Sequence, residues 1–326
     1  MTFTKTVQLP VDVDEAFALI TQPERLRRWQ TVSAQVDLRV GGEYRWTVIP
    51  GHLASGTFRE VEPGKRVVFG WGWGGDALPA DSSTVTITLE PSGAGTTVTL
   101  VHEGLTAEQE VRHAEGWNHF LERLEQAAAT GDAGPDEWAA APQDLDQLSS
   151  AEATLAVLQG VVRHLTDEDR TKQTPCSEYD CHALAEHLFG SITGLGSMAG
   201  AEVRNPEEGS LENRIAVMAD QAITAWRARG LDGMVAGPGG QDFPAALAIN
   251  ILSIEFLLHA WDFAQASGRA LTVSDELAAY VLGLAEQVVP GARQGGAFAP
   301  EQPVADDAPA MDRLVAYTGR RPLVTV

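Results

Sequence analysis

The chain has 326 residues, of which 44% are hydrophobic and 21% are charged, and these values predict a globular protein of two domains. Acidic side chains outnumber basic ones by 45 to 23, and the net charge of −22 predicts no nucleic-acid or membrane partner. Two cysteines, Cys176 and Cys181, cannot form a disulfide framework. No basic segment precedes an apolar one at the N-terminus, so we expect no signal peptide and a cytoplasmic location.

Residues 1–127 carry the alternating pattern of a β-sheet. Apolar side chains recur at every second position in four segments that Gly or Pro residues separate. The alternating positions are Tyr44, Trp46 and Val48; Val67, Phe69, Trp71 and Trp73; Val85, Ile87 and Leu89; and Val98, Leu100 and His102. This pattern predicts an antiparallel meander with one polar face.

Two helices are predicted beside these strands, a short one at 14–20 and a longer one at 107–126. A curved sheet closed over the long helix leaves an apolar cavity between them. The candidate lining residues are Trp46, Trp71, Trp73, His102, His113 and Trp117. For any one of them, an ordinary core position is the alternative interpretation. Glu115 and His119 lie off the apolar stripe of the long helix, which predicts a solvated face.

Residues 128–144 are rich in Ala, Gly, Pro and acidic side chains without periodicity, and they predict a linker. The second domain, 145–326, has almost no strand pattern. Its four long helical segments, at 146–166, 180–201, 210–229 and 243–266, predict a four-helix bundle, and a fifth helix is predicted near 274–288.

The segment at 243–266 is apolar almost all round, which predicts a core helix. Its longest charge-free run is 12 residues, too short to span a bilayer. Glu255, His259 and Asp262 share one face of it, because residues four and seven apart lie within about 40° and 20° of each other around a helix. Ionisable groups in a buried helix are unfavourable unless they are paired or bound to a metal.

A second imidazole, that of His187, falls on the apolar stripe of the segment at 180–201 and points into the bundle. Together with Glu255 and His259 it predicts a divalent-metal site with one open position, in which Asp262 orients a ligand imidazole. Zinc is the expected metal, and nickel, iron and manganese suit the same donors. The alternative is a helix contact beside a hydrogen-bonded core histidine.

Two segments of the second domain, 174–190 (TPCSEYDCHALAEHLFG) and 255–269 (EFLLHAWDFAQASGR), resemble the motifs of the DinB-like, mycothiol-dependent maleylpyruvate isomerase family. In that family the last histidine of the first motif and the Glu and His of the second bind zinc or another divalent ion. The corresponding residues are His187, Glu255 and His259. The resemblance implies a metal that activates a low-molecular-weight thiol, such as mycothiol, toward an electrophilic small molecule.

This sequence departs from the family's pattern at Tyr179, where the family usually has Trp, and at Cys181, where it has an aliphatic residue. The tail at 304–322 resembles an actinobacterial metal-binding subgroup rather than the isomerase's own C-terminal domain, which puts the particular isomerisation in doubt. Three arginines are candidates to hold an anionic group of the substrate, with surface positions as the alternative: Arg293, Arg320 and Arg321.

The first domain resembles the helix-grip (SRPBCC) superfamily, and within it the AHSA1-like domains. The segments that carry this resemblance are 24–30, 37–46, 67–73, 100–105 and 115–124. It implies an α+β fold, an antiparallel sheet over a long C-terminal helix, that binds apolar ligands.

Three functional hypotheses follow from these patterns. The first is a metal-dependent thiol S-transferase or isomerase that carries an N-terminal domain for an apolar ligand. The second is a non-enzymatic small-molecule-binding or stress-response protein with a structural metal. The third places catalysis in the first domain, as in polyketide cyclases, with His102 or His113 as the reactive group.

Overall fold

The computed structural model describes residues 1–74, 78–237 and 240–323. The chain forms two compact units, Met1–Asp136 and Glu137–Val326. The segment 128–144, predicted as a linker, contains the end of a long helix and a short helix of four residues.

The first unit contains a seven-stranded antiparallel sheet, with the strand order β1-β7-β6-β5-β4-β3-β2. Its strands are β1 (Thr2–Leu9), β2 (Ser33–Val36), β3 (Glu43–Ile49), β4 (His52–Glu62), β5 (Arg66–Trp73), β6 (Ser83–Ser92) and β7 (Gly95–Glu103). Its helices are α1 (Val13–Thr21), α2 (Pro23–Leu26) and α3 (Ala107–Thr130). The predicted antiparallel sheet with a long following helix is confirmed.

Local sequence explains both ends of α3. Thr106 and Gln109 form a capping box, in which each side chain binds the other residue's backbone N–H. At the other end Gly131 has a φ of +86°, a left-handed conformation that glycine adopts without strain. Trp117, Phe120, Leu121 and Leu124 form the buried stripe of the helix between these two ends.

The outer face of α3 holds the segment that follows it. His119 Nε2 lies 3.0 Å from Asp136 Oδ1, and Arg123 Nη2 donates to the carbonyl of Gly134 over 2.8 Å. The solvated face predicted for Glu115 and His119 is therefore wrong for His119, although Glu115 is exposed. Helical periodicity identifies the polar face of a helix, but it does not show that a later segment folds back onto it.

The turn before β6 crosses the outer face of the sheet. A Cβ atom on Gly70 would lie 1.8 Å from Asp81 Oδ1, and one on Gly72 would lie 2.1 Å from the carbonyl oxygen of Pro79. Asp81 Oδ1 accepts hydrogen bonds from Thr57 N and Oγ1 at 2.9 and 3.0 Å. Glycine is therefore required in β5 because this turn packs directly on its backbone.

The second unit is mainly helical. Its helices are α4 (Glu137–Ala140), α5 (Gln147–Val162), α6 (Cys181–Met198), α7 (Leu211–Arg229), α8 (Ala245–Ser267), α9 (Asp275–Gln294) and α10 (Ala310–Tyr317). Helix α5 packs against α7 and α8, and α6 packs against the same two helices. The expectation of an all-α domain is wrong in one detail, because β8 (Met234–Ala236) and β9 (Asp242–Pro244) form a small antiparallel sheet.

Within the described residues, one helix, α8, has the length and composition to cross a membrane, although its sequence predicts too short an apolar run. Most of its apolar window, 78%, is buried inside the protein. Phe256 and Leu258, two positions apart and therefore on opposite sides of the helix, are both buried, so α8 is a core helix of this unit. Helix α9 continues through Pro290, beyond the end predicted for it, and α10 packs on α9.

Candidate functional site

Helices α6 and α8 bring His187, Glu255 and His259 together. One ligand atom from each residue lies within 4.8 Å of the other two. His187 Nε2 is 3.2 Å from Glu255 Oε2, and His259 Nε2 is 3.4 Å from the same oxygen. The helical periodicity of the sequence predicts this convergence, because each side chain lies on the face of its helix that meets the other helix.

The second ring nitrogen of His259 contacts a buried carboxylate. His259 Nδ1 lies 2.9 Å from Asp262 Oδ2, and because an ionised carboxylate only accepts hydrogen bonds, Nδ1 carries the proton. In the neutral form, the one that can bind a metal, the Nε2 lone pair then faces Glu255. Asp262 is fully buried and also accepts hydrogen bonds from Arg320 at 3.0 to 3.1 Å. This geometry is what the orienting role predicted for Asp262 requires.

His187 has a weaker outer partner. The ring of Tyr179 stacks on it at a centroid distance of 5.0 Å, and the Tyr179 hydroxyl lies 3.5 Å from His187 Nδ1. The side chain of His187 is 33% exposed, whereas that of His259 is 4% exposed. The cluster is therefore accessible to a ligand on its His187 side.

The carboxylate of Glu255 is the centre of this cluster. Its Oε2 atom is buried and accepts no properly directed hydrogen bond from the described residues. Burial raises the pKa of Glu255, but His187 and His259 lower it by more, so that the pKa is far below its ordinary value. Burial likewise lowers the pKa of His259, but Asp262 and Glu255 raise it by more.

Two imidazole nitrogens and one carboxylate oxygen that converge on one point suit a divalent transition metal with an open coordination position. The electron-rich Oε2 atom, buried without a directed hydrogen bond, is the observation that a cation there would explain. The residues present therefore fit such an ion. The metal itself stays a prediction.

The three candidate anion-binding arginines all have partners within the protein. Arg320 binds Asp262, and Arg321 Nε donates to Gln302 Oε1 over 2.6 Å. Arg293 donates to the backbone carbonyls of Ala299 and Tyr317, which joins α9 to the tail. The structure thus gives these side chains roles in holding the C-terminal segment together.

A cysteine close to the cluster has an unactivated thiol. Cys176 is half-buried, and burial raises the pKa of its thiol above the ordinary value, although Arg320 acts to lower it. A thiol with a raised pKa carries little thiolate at neutral pH, so Cys176 is a poor nucleophile.

The first unit contains a separate cavity of about 380 Å³ between α3 and the sheet. Four of the six predicted lining residues line it: Trp71, Trp73, His113 and Trp117. The other two, Trp46 and His102, are not among its lining residues. Both are buried in the core, where Trp46 packs against Tyr44 at a centroid distance of 4.4 Å.

The hydrogen bonds of His102 fix its protonation. Trp117 Nε1 donates to His102 Nδ1 over 3.0 Å, so Nε2 carries the proton and donates to Ser83 Oγ over 2.9 Å. Ser83 Oγ in turn donates to the carbonyl of Trp71 over 3.0 Å. Burial, with a smaller contribution from His113, lowers the pKa of His102 to about 3. The imidazole is therefore neutral.

Both ring nitrogens of His113 also have hydrogen-bond partners. Its Nε2 atom accepts from the indoles of Trp71 and Trp73 at 3.3 and 3.0 Å, and its Nδ1 donates to the Gln109 carbonyl over 2.7 Å. Burial lowers its pKa as well. Because both nitrogens of His102 and His113 are used, neither ring has a free lone pair for general-base catalysis, and the geometry favours a packing role.

Sequence patterns did not identify Gln30 or Leu78 as lining residues of the cavity. Gln30 is 4% exposed, and its Nε2 atom is buried without a hydrogen-bond acceptor among the described residues. Neither residue belongs to an alternating segment, because Gln30 follows α2 and Leu78 lies between β5 and β6.

Comparisons with known proteins match part of this chain. The family described as "Activator of Hsp90 ATPase homolog 1-like protein" (AHSA1) matches residues 10–129. Proteins Rv0738 and MT0763 of Mycobacterium tuberculosis, both described as uncharacterized, are each 32% identical over 158 residues, which cover 45% of this chain and 82% of theirs.

Among solved structures, the AHSA1-like protein RHE_CH02687 (1-152) of Rhizobium etli is 38% identical, and the match covers 45% of this chain and 92% of that chain at a TM-score of 0.37. DynU16, from the dynemicin biosynthetic locus, is 25% identical with a TM-score of 0.37. That match covers 40% of this chain and only about half, 48%, of DynU16.

The first unit is therefore an AHSA1-like domain of the SRPBCC superfamily, as its sequence predicts. Over the matched 45% of its length, the chain belongs to the same family as Rv0738 of Mycobacterium tuberculosis.

Proposed function

We propose that the second unit is a DinB-like four-helix bundle that binds a divalent metal, first of all zinc, through His187, Glu255 and His259. The convergence of these three donors around the buried Glu255 Oε2 supports the proposal most directly. A protein built from ordinary helix contacts has no need to place three electron-rich atoms within 4.8 Å of one another without directed hydrogen bonds.

The reaction that we propose for this site is thiol transfer or isomerisation with a mycothiol-like thiol and an electrophilic small molecule. A divalent ion at such a site would hold the added thiol as a thiolate at neutral pH. Cys176 is a poor substitute for this nucleophile, because its pKa is raised. Asp262 orients His259, and Tyr179 covers one face of His187. The exposed side of His187 is where thiol and electrophile would enter.

Metal content per chain tests the site. We expect about one divalent ion per chain by elemental mass spectrometry of the tag-free protein, and its loss in His187→Ala and in His259→Ala. His119→Ala is the matched control, because His119 also follows a glutamate by four residues but binds Asp136. Absence of metal after incubation with zinc, or equal metal in all variants, would refute the site.

The reaction is tested by following electrophile consumption with and without an added thiol, before and after removal of the metal. Metal-dependent, thiol-dependent turnover supports the enzyme. Bound metal without any such turnover supports instead the non-enzymatic protein with a structural metal.

We also propose that the first unit binds a small apolar molecule in its cavity. The indole N–H groups of Trp71, Trp73 and Trp117 all donate to histidines, so these side chains offer the cavity no hydrogen atoms for a polar ligand. The amide of Gln30 is a buried donor, which suits a ligand that carries one hydrogen-bond acceptor.

Gly116 allows a test of this second proposal. It lines the cavity, and a Cβ atom on it would have no neighbour within 4 Å, so Gly116→Leu adds a side chain beside the cavity from an unobstructed position. We expect the change to weaken binding of 1-anilinonaphthalene-8-sulfonate, measured by fluorescence titration, by tenfold or more. Gly160→Leu, an equally unobstructed position in α5, is the control. Unchanged binding in Gly116→Leu would contradict a ligand site here.

A further inference from the structure

The C-terminal segment after α10 reaches the proposed metal site through one side chain. Arg320 Nε lies 3.1 Å from both oxygens of Asp262, and Arg320 Nη2 lies 3.0 Å from Oδ2. Its side chain is 10% exposed and that of Asp262 is 0% exposed, so the pair is withdrawn from water. Because the guanidinium and the carboxylate are both planar and share several hydrogen bonds, their relative orientation is fixed. The single contact of a lysine ammonium would not fix it.

This contact determines where the oxygens of Asp262 point. With Arg320 on one side, Oδ2 faces His259 Nδ1 over 2.9 Å. The imidazole is thereby held in one ring orientation and one tautomer, with its Nε2 lone pair toward Glu255. Without the guanidinium, the carboxylate would lose its fixed plane, and the orientation of the His259 ring would no longer be set.

The backbone around Arg320 is built to hold it there. Thr318 Oγ1 donates to the carbonyls of Leu314 and Val315, both at 3.0 Å, and Arg320 N donates to Val315 O over 3.1 Å. Gly319 has a φ of +82°, and a Cβ atom on it would lie 2.6 Å from the carbonyl oxygen of Ala299. This left-handed turn, which only glycine fits, directs the next residue inward.

We infer that Arg320 is a positioning residue for the proposed metal site, acting on His259 through Asp262, and that the C-terminal segment therefore sets the metal affinity. The inference rests on the proposed function of His187, Glu255 and His259. It replaces the role of a substrate-anion contact for Arg320, because two of its three guanidinium nitrogens already bind Asp262.

The test compares full-length wild type with Arg320→Met and Arg320→Lys. We expect the zinc dissociation constant, from competition with a chromophoric chelator, to rise about 10- to 100-fold in Arg320→Met and less in Arg320→Lys. The visible spectrum of bound Co²⁺ should also change, because the ligand field depends on the orientation of His259. Arg204→Met, which removes an exposed arginine that pairs with Glu202 outside the C-terminal segment, should leave both unchanged.

A second readout does not need the metal. Nitrogen chemical shifts of the His259 imidazole in metal-free protein, recorded at alkaline pH where the ring is neutral, should show one tautomer in the wild type and a mixture in Arg320→Met. Wild-type affinity and spectrum in Arg320→Met, even with a lower melting temperature, would reduce Arg320 to a structural residue and overturn the inference. A wild type without metal would refute the proposed function instead, while the tautomer measurement still decides whether Arg320 positions His259. Arg320→Lys keeps the charge if Arg320→Met does not fold.

Discussion

At the scale of single residues, the two units treat buried histidine in opposite ways. Burial keeps His102 neutral, and hydrogen bonds with the Trp117 indole and with Ser83 use both of its nitrogens. His259 is fixed by a carboxylate and retains a lone pair that faces an acidic side chain. The first arrangement suits packing, and the second suits binding a cation.

The neutral state of His102 predicts a specific pH dependence of stability. Its folded pKa of about 3 lies below its ordinary value of 6.5, so the unfolded chain takes up the proton first. The stability that it contributes is present above pH 6.5 and is lost as the pH falls toward 3. Between pH 7 and 5 this one group should lower the free energy of unfolding by up to about 2 kcal/mol.

Urea unfolding of wild type and His102→Gln, followed by tryptophan fluorescence at pH 7 and pH 5, measures this difference. Carboxylates contribute equally to the pH dependence of both proteins, so the excess loss in the wild type belongs to His102. An identical pH dependence of stability in the two proteins would show that the pKa of His102 is not lowered in the folded state.

The residue scale also shows what the sequence can predict about the site. His187, Glu255 and His259 could be assigned to one site because helical periodicity gives the face on which each lies. Arg320 could not be assigned to Asp262, which lies 58 residues earlier, because no periodicity relates a loop to a helix. The sequence also could not show that Trp71 lines the cavity whereas Trp46 does not. Alternation places both on the inner face of the sheet and does not indicate how far the cavity extends.

At the scale of elements, the sheet of the first unit depends on the turn that crosses its outer face. Asp81 has a φ of +62°, the one left-handed non-glycine residue in the described part of the chain. Its carboxylate binds Thr57 in β4, and its carbonyl accepts from Arg59 Nη2 over 2.9 Å. These contacts compensate the strained backbone, provided that Gly70 leaves room for the turn.

Gly70→Ala tests this arrangement. The added methyl group would overlap Asp81 Oδ1 and would lie 2.8 Å from Arg59 Nη2, so the turn must move and its contacts to β4 weaken. We expect the free energy of unfolding to fall by about 1–3 kcal/mol, seen as a lower melting temperature by circular dichroism. Gly160→Ala is the control, since a Cβ atom there has no neighbour within 4 Å. Equal melting temperatures for Gly70→Ala and wild type would contradict the close packing.

Element prediction succeeded where one face is clearly apolar and failed where it is not. Helices α5 to α8 and strands β3 and β5 to β7 have such faces. Strand β1 has exposed or half-exposed side chains over its first five residues, and β4 alternates small side chains such as Ala54 and Gly56 with polar ones, so neither shows a strong period. Helix α10, with eight residues, is too short to establish one.

At the scale of the whole molecule, each unit has its own core and its own candidate site. The first buries an aromatic cluster around Trp71, and the second buries α8. The net charge of −22 raises the local concentration of divalent cations and lowers that of anions. This electrostatic field would favour a cation over an anion at either candidate site and has little effect on a neutral ligand.

The aromatic cluster has an optical consequence. Trp46, Trp71, Trp73 and Trp117 form a continuous series of rings, with neighbouring centroids 5.2 to 6.1 Å apart. At such separations, the excitation energy absorbed by one indole transfers readily to the next. A molecule in the cavity that quenches one of the lining tryptophans would therefore also lower the fluorescence of the buried Trp46. We therefore expect occupancy of the cavity to be measurable from the intrinsic tryptophan fluorescence of the first unit.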